Sequence, residues 1–143
     1  MTTEVHDVVA TRLADAGQRY TDSRRELVER LRGSGPVTLP ELLESGPRLP
    51  QSSAYRNLTV LEEAGVVHRV HATGDAARFE LAEDLTEHHH HLICSSCGAV
   101  EDFTAPPKLE RSLDRAADVI AADSGFTLQR HRLDLIGTCA GCS

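Results

Sequence analysis

"SSAYRNLTVLEEAGVVHRV", Ser52 to Val70, reads as a helix that runs straight into a strand. At about 100° per residue, Ala54, Leu58 and Leu61 fall on one side of that helix, and Ser52, Tyr55, Arg56 and Thr59 fall on the other. Gly65 ends it and Ser52 or Ser53 can cap its start. "VVHRV" and "RFEL" (Arg78 to Leu81) are two short strand candidates around the "TGD" turn. An outward face of hydroxyls, one tyrosine and one arginine can meet base edges and phosphates, as a recognition helix in a major groove must. Alone, the same face would suit any solvated helix, so the preceding segments decide.

Ahead of this helix, Val5, Val8, Val9, Leu13 and Ala16 recur at helical spacing and stop at Gly17. A second helix begins near Thr21 and carries Leu27, Val28 and Leu31 up to the "GSGP" breaker. "TLPE", Thr38 to Glu41, is a capping box for a short third helix with Leu39, Leu42 and Leu43 as its apolar contacts. Three or four helices closed by a hairpin is the layout of a winged helix-turn-helix, assigned here to residues 1–81. After the polar segment "AEDLTE" (82–87, a candidate hinge), residues 88–143 change character. "HHHHLIC" and "AVEDF" read as strands. Pro106 and Pro107 open a helix with Leu109, Leu113, Ala116, Ala117 and Ile120 that Gly125 closes, and "RHRLDLIGTC" alternates as a last strand. The fold class is α+β, an amino-terminal winged helix-turn-helix with a small carboxyl-terminal α/β unit.

A chain of 143 residues accommodates one ordinary domain or two small ones. Its formal charge of -7 argues against a generally basic nucleic-acid binder. The acidity is concentrated after residue 81, however, where bound divalent cations would offset it. The amino terminus has charges scattered through it and no apolar core, so neither a secretory signal nor an anchor is expected, and no later run could span a membrane. The expected compartment is the cytoplasm. There thiols stay reduced, and four cysteines in two Cys-x-x-Cys pairs point to metal or redox chemistry before a disulfide scaffold.

Cys94-x-x-Cys97 and Cys139-x-x-Cys142 each follow a strand candidate, with a glycine nearby, and together offer the four thiolates of a structural zinc site. The four histidines before Cys94 are read through strand alternation: His88 and His90 share one face, His89 and His91 the other. Two half-sites result, each needing ligands from elsewhere. Glu110 and His131 are the expected partners of His88 and His90. Glu80 and His68, from the wing, are those of His89 and His91, with His71 able to replace His68. A metal held jointly by wing and carboxyl-terminal unit would fix the angle between them and so control DNA geometry. The rival from another class is a zinc-dependent hydrolase or thiol oxidoreductase, with Glu87 or Glu101 as base. No Gly-rich phosphate loop, serine nucleophile motif or His-Glu-x-x-His supports it.

"SSAYRNLTVLEEAGVV", "RFEL", "HHHHLICSSCGAVEDF" and "HRLDLIGTCAGC" together resemble the ferric uptake regulator family over nearly the whole chain. The resemblance implies a homodimeric, metal-dependent DNA-binding repressor of metal-homeostasis genes, with a carboxyl-terminal dimerisation domain and an AT-rich inverted repeat as target. It puts Tyr55 and Arg56 against DNA, with Arg19 in "GQRYTDSRR" on the backbone or in the minor groove. Iron-type and peroxide-type members commonly carry a histidine just before the third helix, where this chain has "GSGPVTLPELL", with Pro36 near that position. Zinc-type members resemble it better, taking a wing ligand from the position of His68, although they often use a cysteine where Glu80 stands here. The expected regulatory metal is zinc. Iron, manganese or peroxide sensing is the alternative, and imidazole ligands also leave Fe(II), Mn(II) and Ni(II) open.

Overall fold

The computed structural model describes residues 2–70 and 77–143; the "TGD" turn and His71 lie outside them. The chain runs α1 (Thr2–Asp15), α2 (Asp22–Leu31), β1 (Val37–Thr38), α3 (Leu39–Glu44), α4 (Gln51–Glu63), β2 (Val67–Val70) and β3 (Arg78–Leu81). A 3-10 turn at Glu83–Leu85 leads to β4 (His90–Cys94), β5 (Val100–Phe103), α5 (Pro107–Ser124) and β6 (Asp134–Gly137).

From α1 to β3 the elements share one apolar core. Val9 and Leu13 of α1, Leu27, Val28 and Leu31 of α2, Leu42 of α3 and Ala54, Leu58 and Leu61 of α4 meet Phe79 and Leu81 of β3. Truncating one of these buried leucines to alanine would cost about 2–5 kcal/mol. The caps form where short-range chemistry demands. Thr21 accepts from the Arg24 N–H at the start of α2, and Thr38 and Glu41 form the full capping box of α3. His6, buried in α1, is bridged by the Tyr20 hydroxyl (2.6 Å) and by Glu29 of α2, so it ties the first two helices together.

Three local expectations are corrected. Pro50, not Ser52 or Ser53, occupies the N-cap of α4, because its fixed φ of -60° already turns the chain into the helix and both serines fall in the first turn. The wing is a three-stranded antiparallel sheet in the order β1-β3-β2, not a hairpin alone: Val37 and Thr38 pair with Phe79 and Arg78. The second sheet, ordered β5-β4-β6, has shorter strands than expected. β4 starts at His90, because the pairings end there, with Phe103 opposite His90 and Asp134 opposite His91.

The two sheets meet. Val70 of the wing packs with Ile93 and Val100 of the second sheet, and the Arg78 guanidinium donates to the Gly98 carbonyl at 3.0 Å. By contrast, α5 has an apolar stripe but no buried residue. Val119 and Ile120, with Phe126, Leu135 and Ile136 around the edge strand β6, are all exposed, Ile120 by 63% and Ile136 by 68%.

Candidate metal centres

Cys94 closes β4 and Cys97 lies in the tight turn before β5, while Cys139 and Cys142 follow β6; the parallel β4–β6 pairing sets Cys94 beside Gly137. All four sulfurs lie within 4.8 Å of one another, and Cys97 Sγ is 3.8 Å from Cys139 Sγ. That is no disulfide. Zinc–sulfur bonds of about 2.3 Å would place tetrahedral thiolates about 3.8 Å apart. The backbone N–H groups of Cys97 and Cys139 both point at Cys94 Sγ (3.4 Å each) and bring its thiol down to about 6. Cys142, crowded by Cys139 and the other thiols, is pushed up to about 12. Four clustered sulfurs without a counter-charge cannot all ionise, which is the condition a divalent cation relieves.

A second group lies on the seam between the sheets. Glu80 comes from β3, His89 from the segment before β4, His91 from β4 and Asp102 from β5. Glu80 and His91 are buried, at 6% and 3% exposure. His91 Nε2 is 3.0 Å from Glu80 Oε1 and 3.5 Å from Asp102 Oδ1; His89 Nε2 is 3.1 Å from Glu80 Oε2 and 3.7 Å from Asp102 Oδ1. Bonds of about 2.0–2.1 Å to a tetrahedral zinc separate its ligand atoms by about 3.3–3.4 Å, so this donor set fits such an ion. Burial raises the Glu80 carboxyl, but His91 and His89 outweigh it and the net shift is downward. Burial also opposes charge on His89, yet the Glu87 carbonyl, Asp102 and Glu80 hold its pKa above the usual value. Asp102 moves upward through burial.

His68 pairs with Glu80 in the wing register but stands outside this group. Its Nε2 accepts from Arg132 Nη1 at 3.2 Å, and burial together with Arg132 lowers its pKa. Asp102 was not anticipated. Its signal lay in "HHLICSSCGAVEDF": once the knuckle turn closes the β4–β5 hairpin, Asp102 falls opposite His91. Pro36 lines the same side of the seam as Glu80, His89 and Asp102 and has no donor to offer.

The third group joins His88 and His90 to Glu110 of α5 and to His131, just before β6. Glu110 receives His90, His131 Nε2 at 2.9 Å and His88 Nε2 at 3.2 Å. Glu83 of the connecting 3-10 turn binds the other side of His88. His90 Nδ1 accepts the Leu133 N–H at 3.1 Å, which leaves the proton of the neutral ring on Nε2.

On α4, Ser52 and Arg56 are exposed and Tyr55 is 48% exposed, whereas Thr59 turns its hydroxyl back to the Tyr55 carbonyl at 3.1 Å. Arg19 is exposed in the α1–α2 turn. Arg24 braces that turn against α4, donating to the Arg19 carbonyl (2.7 Å) and to Asn57 Oδ1 (3.0 Å).

A winged helix joined to a small sheet unit, with three groups of side chains that could hold a metal ion, defines the class. The chain belongs to the ferric uptake regulator family, whose model matches residues 15–136. It is 33% identical over 136 residues to the ferric uptake regulation protein of Legionella pneumophila, covering 91% of this chain and 95% of that one. Among solved structures it is similar to the Vibrio cholerae ferric uptake regulator (31% identity, 89% and 96% coverage, TM-score 0.69). It is also similar to a zinc uptake regulator complexed with zinc and DNA (26% identity, 99% and 94% coverage, TM-score 0.56). Among the described residues no helix is long and apolar enough to cross a membrane.

Proposed function

We propose that this protein is a homodimeric, metal-responsive transcriptional repressor rather than an enzyme. Residues 1–81 read DNA, 88–143 hold metal and dimerise, and 82–87 serve as the hinge. The observation that carries the reading is the origin of the seam ligands: Glu80 belongs to the wing, and His91 and Asp102 belong to the second sheet. A divalent cation there supplies a bridge between the two units. Without it Glu80 keeps only hydrogen bonds across the seam. Tyr55, Arg56 and Ser52 face the groove, Thr59 lies beside them, and Arg19 reaches the phosphate backbone or minor groove of an AT-rich inverted repeat. The second copy covers the exposed stripe of α5 and the edge of β6. The cytoplasm is the compartment such a protein needs.

Cys94, Cys97, Cys139 and Cys142 hold a structural zinc that ties the chain end to β4. Zinc is also the favoured regulatory ion, supported by near-tetrahedral spacing at Glu80, His89, His91 and Asp102; His68 enters only if it leaves Arg132. Two carboxylates beside two imidazoles support a second reading, iron(II) or manganese(II), with peroxide sensing as its variant. The test is fluorescence anisotropy of labelled promoter DNA. Protein that keeps its four-thiolate zinc is titrated with buffered zinc and, anaerobically, with iron(II). Zinc restoring tight binding far below the level at which iron(II) acts supports zinc sensing. The reverse order moves the protein to the iron branch, and no response to either refutes a metal-responsive repressor of these ions.

A further inference from the structure

Among the described residues, His91 Nδ1 and Asp134 Oδ1 are the buried side-chain polar atoms that lack a hydrogen-bond partner. They are 3.7 Å apart. The parallel pairing of β4 with β6 makes His91 and Asp134 direct neighbours, so the approach is built into the sheet. An imidazole nitrogen that can donate and a carboxylate oxygen that can accept are thus held a small side-chain rotation from a bond, with the opposite edge of the ring, Nε2, facing Glu80 and Asp102.

We propose that Asp134 is the positioning residue of the seam centre. It accepts the Nδ1–H of His91 and so keeps the Nε2 lone pair turned toward the cation. The inference rests on reading Glu80, His89, His91 and Asp102 as a metal centre. His89 reaches the same tautomer by another route, its Nδ1–H donating to the Glu87 carbonyl at 2.9 Å. His91 lies inside a strand whose nearby carbonyls are used by the sheet, so a side chain must do that work, and carboxylates commonly take this place behind metal-ligating histidines. Asp134 is itself held: Arg132 Nη2 donates to its other oxygen at 3.3 Å, while Arg132 Nη1 donates to His68 of the wing. The line from His91 through Asp134 and Arg132 to His68 therefore crosses the same seam as the ligands.

The experiment uses the full chain with its four-thiolate zinc retained. Zinc affinity of the seam centre is measured by chelator competition, and the His91 Nδ1–H of the zinc-loaded protein by long-range proton–nitrogen correlation. Without zinc the ring donates its Nε2–H to Glu80; with zinc on Nε2 the proton must sit on Nδ1, where Asp134 should hold it as a slowly exchanging signal. Asp134→Ala should weaken zinc at the seam by about 10–100-fold and expose that proton to fast exchange. Asp134→Asn has the same shape and keeps an oxygen acceptor; it should recover part of the loss and guards against a mere packing defect. If Asp134→Ala leaves affinity and the Nδ1–H signal unchanged while His91→Ala loses the zinc, the role of Asp134 is overturned and the seam centre survives. If neither substitution changes zinc affinity, both ideas fall.

Discussion

The two histidine groups grow from one run of four residues, yet their surroundings prepare them differently. At the seam, the Nδ1 of His89 faces a carbonyl and that of His91 faces a carboxylate, so each ring has an acceptor that can keep a proton on Nδ1 when Nε2 is given to a cation. In the other group the Leu133 N–H occupies His90 Nδ1 and leaves a proton on the very nitrogen that points at Glu110. A cation there must displace that proton. The ligands also differ in origin, because the seam draws Glu80 from the wing while His88, His90, Glu110 and His131 all follow residue 87. Strand alternation therefore separates a ligand group that spans the wing and the second sheet from one drawn entirely from residues after 87.

The second group takes His131 from just before β6, the seam has Asp134 of β6 behind His91, and the four sulfurs gather at the end of the same β4–β6 pairing, where a zinc would pin the chain end. The largest effect is expected from Cys94→Ser with Cys97→Ser. Structural zinc sites contribute on the order of 10 kcal/mol to folding, so the double variant should lose its zinc and both histidine centres together, seen as loss of metal by mass spectrometry and of the high-temperature melting transition. A variant that kept either histidine centre would show that the centres form without the four-thiolate zinc.

Ile120→Asp places a charge in the exposed stripe of α5 and should convert the proposed dimer to monomer in sedimentation. The seam ligands all lie within one chain, so zinc binding there should persist. Arg56→Ala should weaken operator binding by about 1–3 kcal/mol with zinc content unchanged, separating the reading head from both centres. Smallest, His90→Ala should cost the second group less metal affinity than the same change at His91 costs the seam, because the Leu133 N–H on His90 Nδ1 leaves the proton on the nitrogen that a cation would need. Equal losses at the two positions would dissolve the distinction drawn from Leu133.

Much of this was legible in the chain because the signals were local. Period-3.6 spacing marked the helices of the reading head, Thr38 with Glu41 announced α3, and alternation sorted His88 to His91 before any contact was known. What escaped depends on pairing across distance. Val37 and Thr38 are too short to read as a strand until Phe79 and Arg78 lie beside them. Asp102 sits in a segment whose chemistry is silent until hairpin register brings it opposite His91, and Asp134 likewise until β6 runs parallel to β4. His68 shows the converse: the wing places it in the same cross-strand pair as Glu80, but Arg132, remote in sequence, takes its ring nitrogen. Pro50 took the cap of α4 because backbone geometry sufficed where a serine side chain had been expected.

On the function proposed above, the seam centre, and not its neighbour, couples metal to DNA. The most direct measurement is promoter-DNA anisotropy under buffered zinc for the wild type, for His89→Ala with His91→Ala, and for His88→Ala with His90→Ala, all with the four-thiolate zinc in place. No zinc response is expected when the seam pair is removed, and a response with a shifted midpoint when the other pair is removed. A seam variant that still binds DNA in a zinc-dependent way, beside a His88 and His90 variant that does not, would contradict it.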